Sequence, residues 1–241
     1  MQPRNAWSFD LPRPPARSEG FRRSRGDATR TLVAAMKAAG RPPGVLVSAS
    51  AVGFYGERGD EVLPETASIG QGFLPEVCLA WETHADVAAR AGVRTVLLRF
   101  GVVLSPAGGA LAKMLPVFRA GFGGRVGGGR QWMSWISRED AVGVIYHALM
   151  TSGLRGPVNA CAPEMITNAG FTRELGRALR RPAMLPVPAP ALRALFGRMA
   201  DETLLASTRA EPAALLRSSY VFRQPTLGEC LQHELGLRPK V

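Results

Sequence analysis

The sequence predicts an α/β fold: a partial, doubly wound parallel sheet followed by a small α-rich carboxy-terminal cap. Three observations point there. Two continuous apolar runs, Gly44 to Ser50 and Arg94 to Leu104, have the texture of strands buried on both faces of a parallel sheet. A long helical pattern from Pro75 to Ala91 separates them, as the crossover between parallel strands requires. After Cys161 the texture changes to short helices broken by Pro212 and Pro225.

Taken in order, residues 1–22 read as a disordered basic tail, rich in proline and arginine and without apolar periodicity. From Asp27 the pattern turns helical, with Ala28, Leu32, Val33, Ala35 and Met36 on one face, until Gly40-Arg41-Pro42-Pro43 stops it. The strand Gly44 to Ser50 follows, then a polar, turn-rich loop from Gly56 to Gly72. The helix Pro75 to Ala91 turns Val77, Ala80, Trp81, Ala85 and Ala88 inward. Arg94 to Leu104 is the second strand, and a helix from Gly109 to Ala120 leads into the glycine-rich stretch GFGGRVGGGRQ. A short strand, Trp132 to Ile136, precedes Ser137-Arg138-Glu139-Asp140, whose Ser-x-x-acid spacing opens the next helix, ending near Met150. Gly156 to Ala160 is a further strand, Thr167 to Arg180 a further helix, and the AMLPVPAP stretch is extended. The boundaries are therefore a sheet domain over 23–160 and a cap over 161–241.

Composition narrows the function. With 241 residues, 46% of them hydrophobic and 20% charged, the chain can bury a full core. The formal charge of +11 comes almost wholly from arginine, since Lys37, Lys113 and Lys240 are the only lysines. Those arginines are scattered and do not alternate with aromatics, so no specific nucleic-acid partner is expected. Cys78, Cys161 and Cys230 are far apart and form no C-x-x-C pair, which argues against both a disulfide framework and a metal site. No apolar run reaches the ~18 residues of a membrane span. The amino terminus lacks the apolar stretch of a secretory signal, and the expected compartment is the cytoplasm.

Four segments carry a family resemblance: LVSASAVGFYG, GFLPEVCLAWE, LLRFGVVLSPAGGALAKMLPVF and GGGRQWMSWISREDAVGVIYHAL. With the cap segments GPVNACAPEMITNAGFTRELGRALRRP and RMADETLLAS, they make the chain from about residue 22 to 236 resemble the extended short-chain dehydrogenases/reductases. Within that group it is similar to the epimerase-family, sugar-nucleotide-epimerase-like branch with its carboxy-terminal extension. The resemblance implies a Rossmann-like sheet, an NADP or NAD cofactor, a small-molecule substrate of nucleotide-sugar type, and NAD(P)-dependent oxidoreductase or epimerase chemistry. It also implies that the chain enters the fold late, as an amino-terminally truncated form lacking its first βαβ units. The central strand Gly44 to Ser50 is then an exposed sheet edge, through which the chain would self-associate.

The same resemblance assigns candidate residues. The serine-rich strand end supplies the hydroxyl that meets the reacting oxygen, which is Ser50, with Ser48 two residues upstream on the same strand face. Phe100, Gly101 and Val102, at the end of the second strand, fall beside the nicotinamide ring. Arg125 and Arg130 in the glycine-rich loop meet an anionic substrate group, with Trp135 alongside. Two family features are absent. None of the three tyrosines has a lysine four residues on; Leu74 and Cys78 occupy those helix positions. Glu76 on that helix is the expected substitute proton carrier. Gly121, Gly124 and Gly127 match the Gly-x-x-Gly-x-x-Gly spacing but lie between a helix and the Trp132 strand, where no phosphate cradle can form. The absences leave open a non-catalytic nucleotide-binding or regulatory protein, or an inactive fragment.

Overall fold

The computed structural model describes residues 16–197 and 199–237. The first helix, α1 (Ala16–Ala38), begins eleven residues before Asp27, so residues 16–22 of the expected tail are helical; residues 1–15 lie outside the described ones. Then come β1 (Val45–Ala51), a one-turn 3-10 helix over Val52–Tyr55, and β2 (Val62–Leu63) inside the stretch expected to be loop. The crossover helix α2 is Phe73–Arg90.

The single strand expected over 94–104 is two, β3 (Arg94–Phe100) and β4 (Val102–Leu104). They part at Gly101, where the backbone runs so close to Ser134 that a Cβ would stand 2.7 Å from its carbonyl oxygen. The chain continues through α3 (Gly109–Arg119), β5 (Trp132–Met133), β6 (Trp135–Ser137), α4 (Arg138–Met150) and β7 (Gly156–Ala160). The expected Trp132–Ile136 strand is thus also split. Its first half pairs antiparallel with β8 (Ile166–Thr167), and its second pairs parallel with β4. The remainder is α5 (Asn168–Leu179), α6 (Ala189–Phe196), a π-helical turn over Ala200–Leu204, β9 (Arg209–Ala210), α7 (Ala213–Arg217) and α8 (Leu227–Glu234).

The central sheet is parallel, in the order β1-β3-β7, and helices cover both faces. On one face Val33 and Met36 of α1 and Ala85 and Ala88 of α2 pack on Leu46 and Leu97. On the other, Ala141, Val144 and Ala148 of α4 pack on Val96, Leu98 and Phe100, with Leu215 of α7 closing the layer. This two-sided burial explains the apolar run of Val96, Leu97 and Leu98 in β3. Ser137 caps α4 as its spacing predicts, accepting a bond from the Asp140 amide. A second cluster, Leu104, Leu111, Leu115, Trp135, Phe171, Leu175 and Leu227, packs β4, α3 and β6 against α5 and α8 of the cap. Among the described residues β1 is an edge of its sheet. No described helix is long and apolar enough to cross a membrane.

Candidate functional site

Strand register builds the site. Ser50 stands beside Arg99 across β1 and β3, and Arg99 stands beside Asn159 across β3 and β7. In-register residues of a sheet share a face, so the three side chains form a row near the carboxyl ends of the strands. That row faces α2, which contributes Glu82.

Arg99 is the hub. Its Nε donates to Glu82 Oε1 at 2.8 Å and its Nη2 to Glu82 Oε2 at 2.8 Å, a bidentate pair. Nη1 donates to the Tyr55 hydroxyl at 3.0 Å, and the guanidinium carbon lies 3.5 Å from the centre of the Phe54 ring. Ser50 Oγ donates to Glu82 Oε1 at 2.7 Å. The Tyr55 hydroxyl donates to Asn159 Oδ1 at 2.7 Å, and Asn159 Nδ2 donates to the carbonyls of Leu63 and Glu211. Finally Glu65 Oε1 accepts from the amides of Asn159 and Ala214, tying β7 to the start of α7. All of these side chains are buried; Ser50 and Tyr55 are 0% exposed.

The electrostatics follow from that burial. For Arg99, desolvation pulls the pKa down, but the bonds to Glu82 and Tyr55 outweigh it and the guanidinium stays charged. Burial raises the Tyr55 phenol despite the neighbouring Arg99. Burial and the Glu82 charge push the Cys78 thiol up to about 11, which leaves it protonated and unreactive near neutrality. A row so fully paired is suited to fixing geometry at the strand ends. It holds the 3-10 turn after β1 and the Gly101 break after β3 at a set separation.

The expected residues fall in different places. Ser50 is in the row, but its hydroxyl is turned inward to Glu82. Ser48 is buried on the same face, its hydroxyl 3.4 Å from the Ala49 carbonyl. Glu76 is exposed in the first turn of α2, so the carboxylate that meets Ser50 is Glu82 instead. Phe100 packs in the sheet core, Val102 is half-buried, and Gly101 is required by the Ser134 backbone. Trp135 is 0% exposed in the cap's core and has no surface to offer a substrate. Arg125 lines a groove on the cap, and Arg130 is exposed and does not line it. Leu74 and Cys78, at the helix positions where the resemblance would put a Tyr-Lys pair, lie against Gly53.

The glycine-rich loop is occupied by the chain itself. The amides of Leu185 and Val187 donate to the carbonyls of Gly123 and Arg125, and Gly127 donates back to Val187. A Cβ on Gly124 would lie 1.7 Å from the Leu185 carbonyl oxygen, so this glycine makes room for residues 183–187 and not for a phosphate. Among the described residues no three or more His, Cys, Asp or Glu are grouped to hold a metal ion.

Sequence reasoning missed Arg99, Asn159, Tyr55 and Glu65 as a unit. A charged residue inside the apolar run TVLLRFGVVL was the available signal, because a buried arginine demands a carboxylate partner.

Comparison with known proteins places this arrangement. Residues 187–234 match a family model described as a domain of unknown function, DUF1731. An epimerase family protein of Mycobacterium bovis is 48% identical over 216 residues, covering 89% of this chain and 72% of that protein. The crystal structure of human epimerase family protein SDR39U1 with NADPH superposes with a TM-score of 0.84 at 33% identity, over 90% of this chain and 75% of that one. A nucleoside-diphosphate sugar epimerase from Corynebacterium glutamicum superposes with a TM-score of 0.74 at 35% identity, over 95% of this chain and 45% of that one. Their likeness extends through sheet and cap alike, and the chain belongs to the epimerase family proteins of the extended short-chain dehydrogenase/reductase group.

Proposed function

We propose that this protein is an NAD(P)-dependent oxidoreductase of epimerase type, acting on a small, nucleotide-sugar-like molecule. The observation that supports the reading most is the row of Ser50, Arg99 and Asn159. It locks the carboxyl ends of three parallel strands, the side on which open α/β sheets bind ligands. Relatives with the same sheet and cap include one solved with NADPH and one described as a nucleoside-diphosphate sugar epimerase.

The described residues lack a seat for the dinucleotide's pyrophosphate. Among them no strand, glycine turn and helix could seat a pyrophosphate, and the glycine-rich loop over 121–131 is filled by Leu185. They do not, by themselves, fit the whole cofactor. What they supply is positioning. Arg99 and Glu82 hold the β1 and β3 ends, Ser50 orients Glu82 Oε1, and Tyr55 joins the 3-10 turn to β7. The half-exposed backbone of Ala51 to Gly53 is what this frame presents on the ligand side.

A second reading, a non-catalytic protein that senses a dinucleotide or nucleotide sugar, has its own support. The positions of the missing Tyr-Lys pair are filled by Leu74 and a protonated Cys78, and the Tyr55 phenol is committed to Arg99 and Asn159. Titration of NADPH and NADH into the chain, followed by nicotinamide fluorescence, tests both. Saturable binding with turnover of a nucleotide sugar supports the first reading, and binding without turnover supports the second. A flat signal with both dinucleotides would overturn the first reading and the dinucleotide form of the second.

A further inference from the structure

A concave site lies on the cap, apart from the buried row. It is a groove of about 740 Å³ between one face of α5 and residues 180–186, with Arg125 closing one side. Ala169, Thr172, Arg173, Gly176, Arg177 and Arg180 recur at intervals of three and four along α5, which places them on one stripe of the helix. The opposite stripe, Phe171 and Leu175, is buried in the cap's core. Gly176 lets the chain close over the groove: a Cβ there would stand 2.9 Å from the Ala183 Cβ and 3.0 Å from the Arg181 carbonyl oxygen.

The lining carries five arginines, Arg125, Arg173, Arg177, Arg180 and Arg181, and no acidic residue. Glu174 answers two of them, Arg177 at 2.8 Å and Arg173 at 3.9 Å. Among the described residues Arg125, Arg180 and Arg181 have no carboxylate partner. Helix dipole compensation calls for positive charge in the last turn of α5, and Arg177 supplies it. It does not call for Arg125, which arrives from another element. Nor does it account for Arg180, whose φ of 53° puts an arginine in the left-handed conformation that ends helices and that glycine adopts without strain. Four lining residues, Pro182, Ala183, Met184 and Pro186, make a wall without charge.

We propose that this groove is a binding site for a small phosphorylated molecule bearing two or more phosphate charges, gripped by Arg125, Arg177, Arg180 and Arg181. Guanidinium groups bind phosphate oxygens in pairs of parallel hydrogen bonds, and several converging on one concave volume select for multiple charges. The volume fits a small ligand, since such pockets span about 300–1,000 Å³. The groove does not read as a nucleic-acid track: no aromatic side chain lines it for base stacking. This site stands independently of the dinucleotide reading, because no groove residue bonds to the Ser50-Glu82-Arg99 row.

Calorimetric titration of the full chain at low ionic strength tests the proposal, with inorganic pyrophosphate as one probe and fructose 1,6-bisphosphate as the other. Saturable one-site binding is expected. R180G should weaken it on the order of tenfold and R180G/R181Q further, as charge-assisted bonds are lost. R217Q removes one charge on α7 and should leave affinity unchanged. R180G also relieves the left-handed arginine, so the unliganded melting temperature should hold or rise, which separates lost binding from lost folding. Tighter binding of the sugar bisphosphate assigns a phosphate ester as ligand, and tighter binding of pyrophosphate assigns a free anion. The proposal is overturned if neither probe saturates, if R217Q weakens binding as much as R180G, or if binding survives R180G/R181Q. It is also overturned if a single-stranded RNA binds the groove arginines while both phosphates fail.

Discussion

Arg99 holds Glu82 through two parallel bonds of 2.8 Å in a site where the two side chains are 5% and 9% exposed. Removing one partner of such a pair leaves a buried charge alone, which costs about 3–5 kcal/mol. Glu82→Gln is therefore expected to lower unfolding free energy by that amount in urea titrations. The double variant Glu82→Met with Arg99→Met should recover much of the loss. A double variant no better than the single one would show that the pair's value lies in its links to Ser50 and Tyr55.

Ser50 and Tyr55 make unequal contributions. Ser50→Ala removes one bond to Glu82 Oε1, but Arg99 Nε still serves that oxygen, so a loss of about 1 kcal/mol is expected. Tyr55→Phe strips both Arg99 Nη1 and Asn159 Oδ1 of a partner and should cost about 2–3 kcal/mol. Chemical denaturation of the two variants side by side checks the order; the reverse order would mean that Ser50 holds more than Glu82.

Much of this was legible in the sequence, and the boundary is physical. The continuous apolar run of β1 and the Ser137 cap of α4 are local signals, and both elements formed where the residues placed them. The break at Gly101 was not legible, because it depends on the Ser134 backbone thirty-three residues away. Helical periodicity placed Trp81 inward, whereas Trp81 is half-buried and Glu82 is buried. The stripe from Cys78 through Glu82 to Ala85 fits the helix equally well, and only the unpaired arginine on β3 distinguishes the two faces. Glu76 was named as a proton carrier on the same helix; it stands exposed in the first turn of α2, and the carboxylate bonded to Ser50 is Glu82.

Glycine substitutions separate close approach from empty space. Gly101→Ala would force a Cβ to within 2.7 Å of the Ser134 carbonyl oxygen, and overpacking of this kind costs about 1–3 kcal/mol. Gly44→Ala meets nothing within 4 Å and should leave the melting temperature unchanged. A thermal melt of each variant decides whether the β3–β4 break is as tight as the geometry says.

Histidine 147 gives the fold a mild acid sensitivity. Burial lowers its pKa below the ordinary 6.5, with Nε2 2.9 Å from the Ser218 hydroxyl and the ring edge-on to Tyr220. The unfolded chain therefore takes up a proton more readily than the folded one as pH falls. The stability that neutral His147 contributes is complete above 6.5 and is lost as pH drops through the lowered folded value. Melting temperatures taken from pH ~7.5 down to pH ~5 should fall in the wild type and fall less in His147→Gln.

Glu65 and Asn159 give synthesis of the chain a late closing step. Asn159 donates to the Glu211 carbonyl, and Glu65 needs the Ala214 amide as well as that of Asn159. Until residues 211–214 have been made, Glu65 Oε1 and Asn159 Nδ2 each lack one of their two partners. A chain ending before residue 211 would leave these two bonds unmade, and limited proteolysis is expected to cut it faster than the full chain.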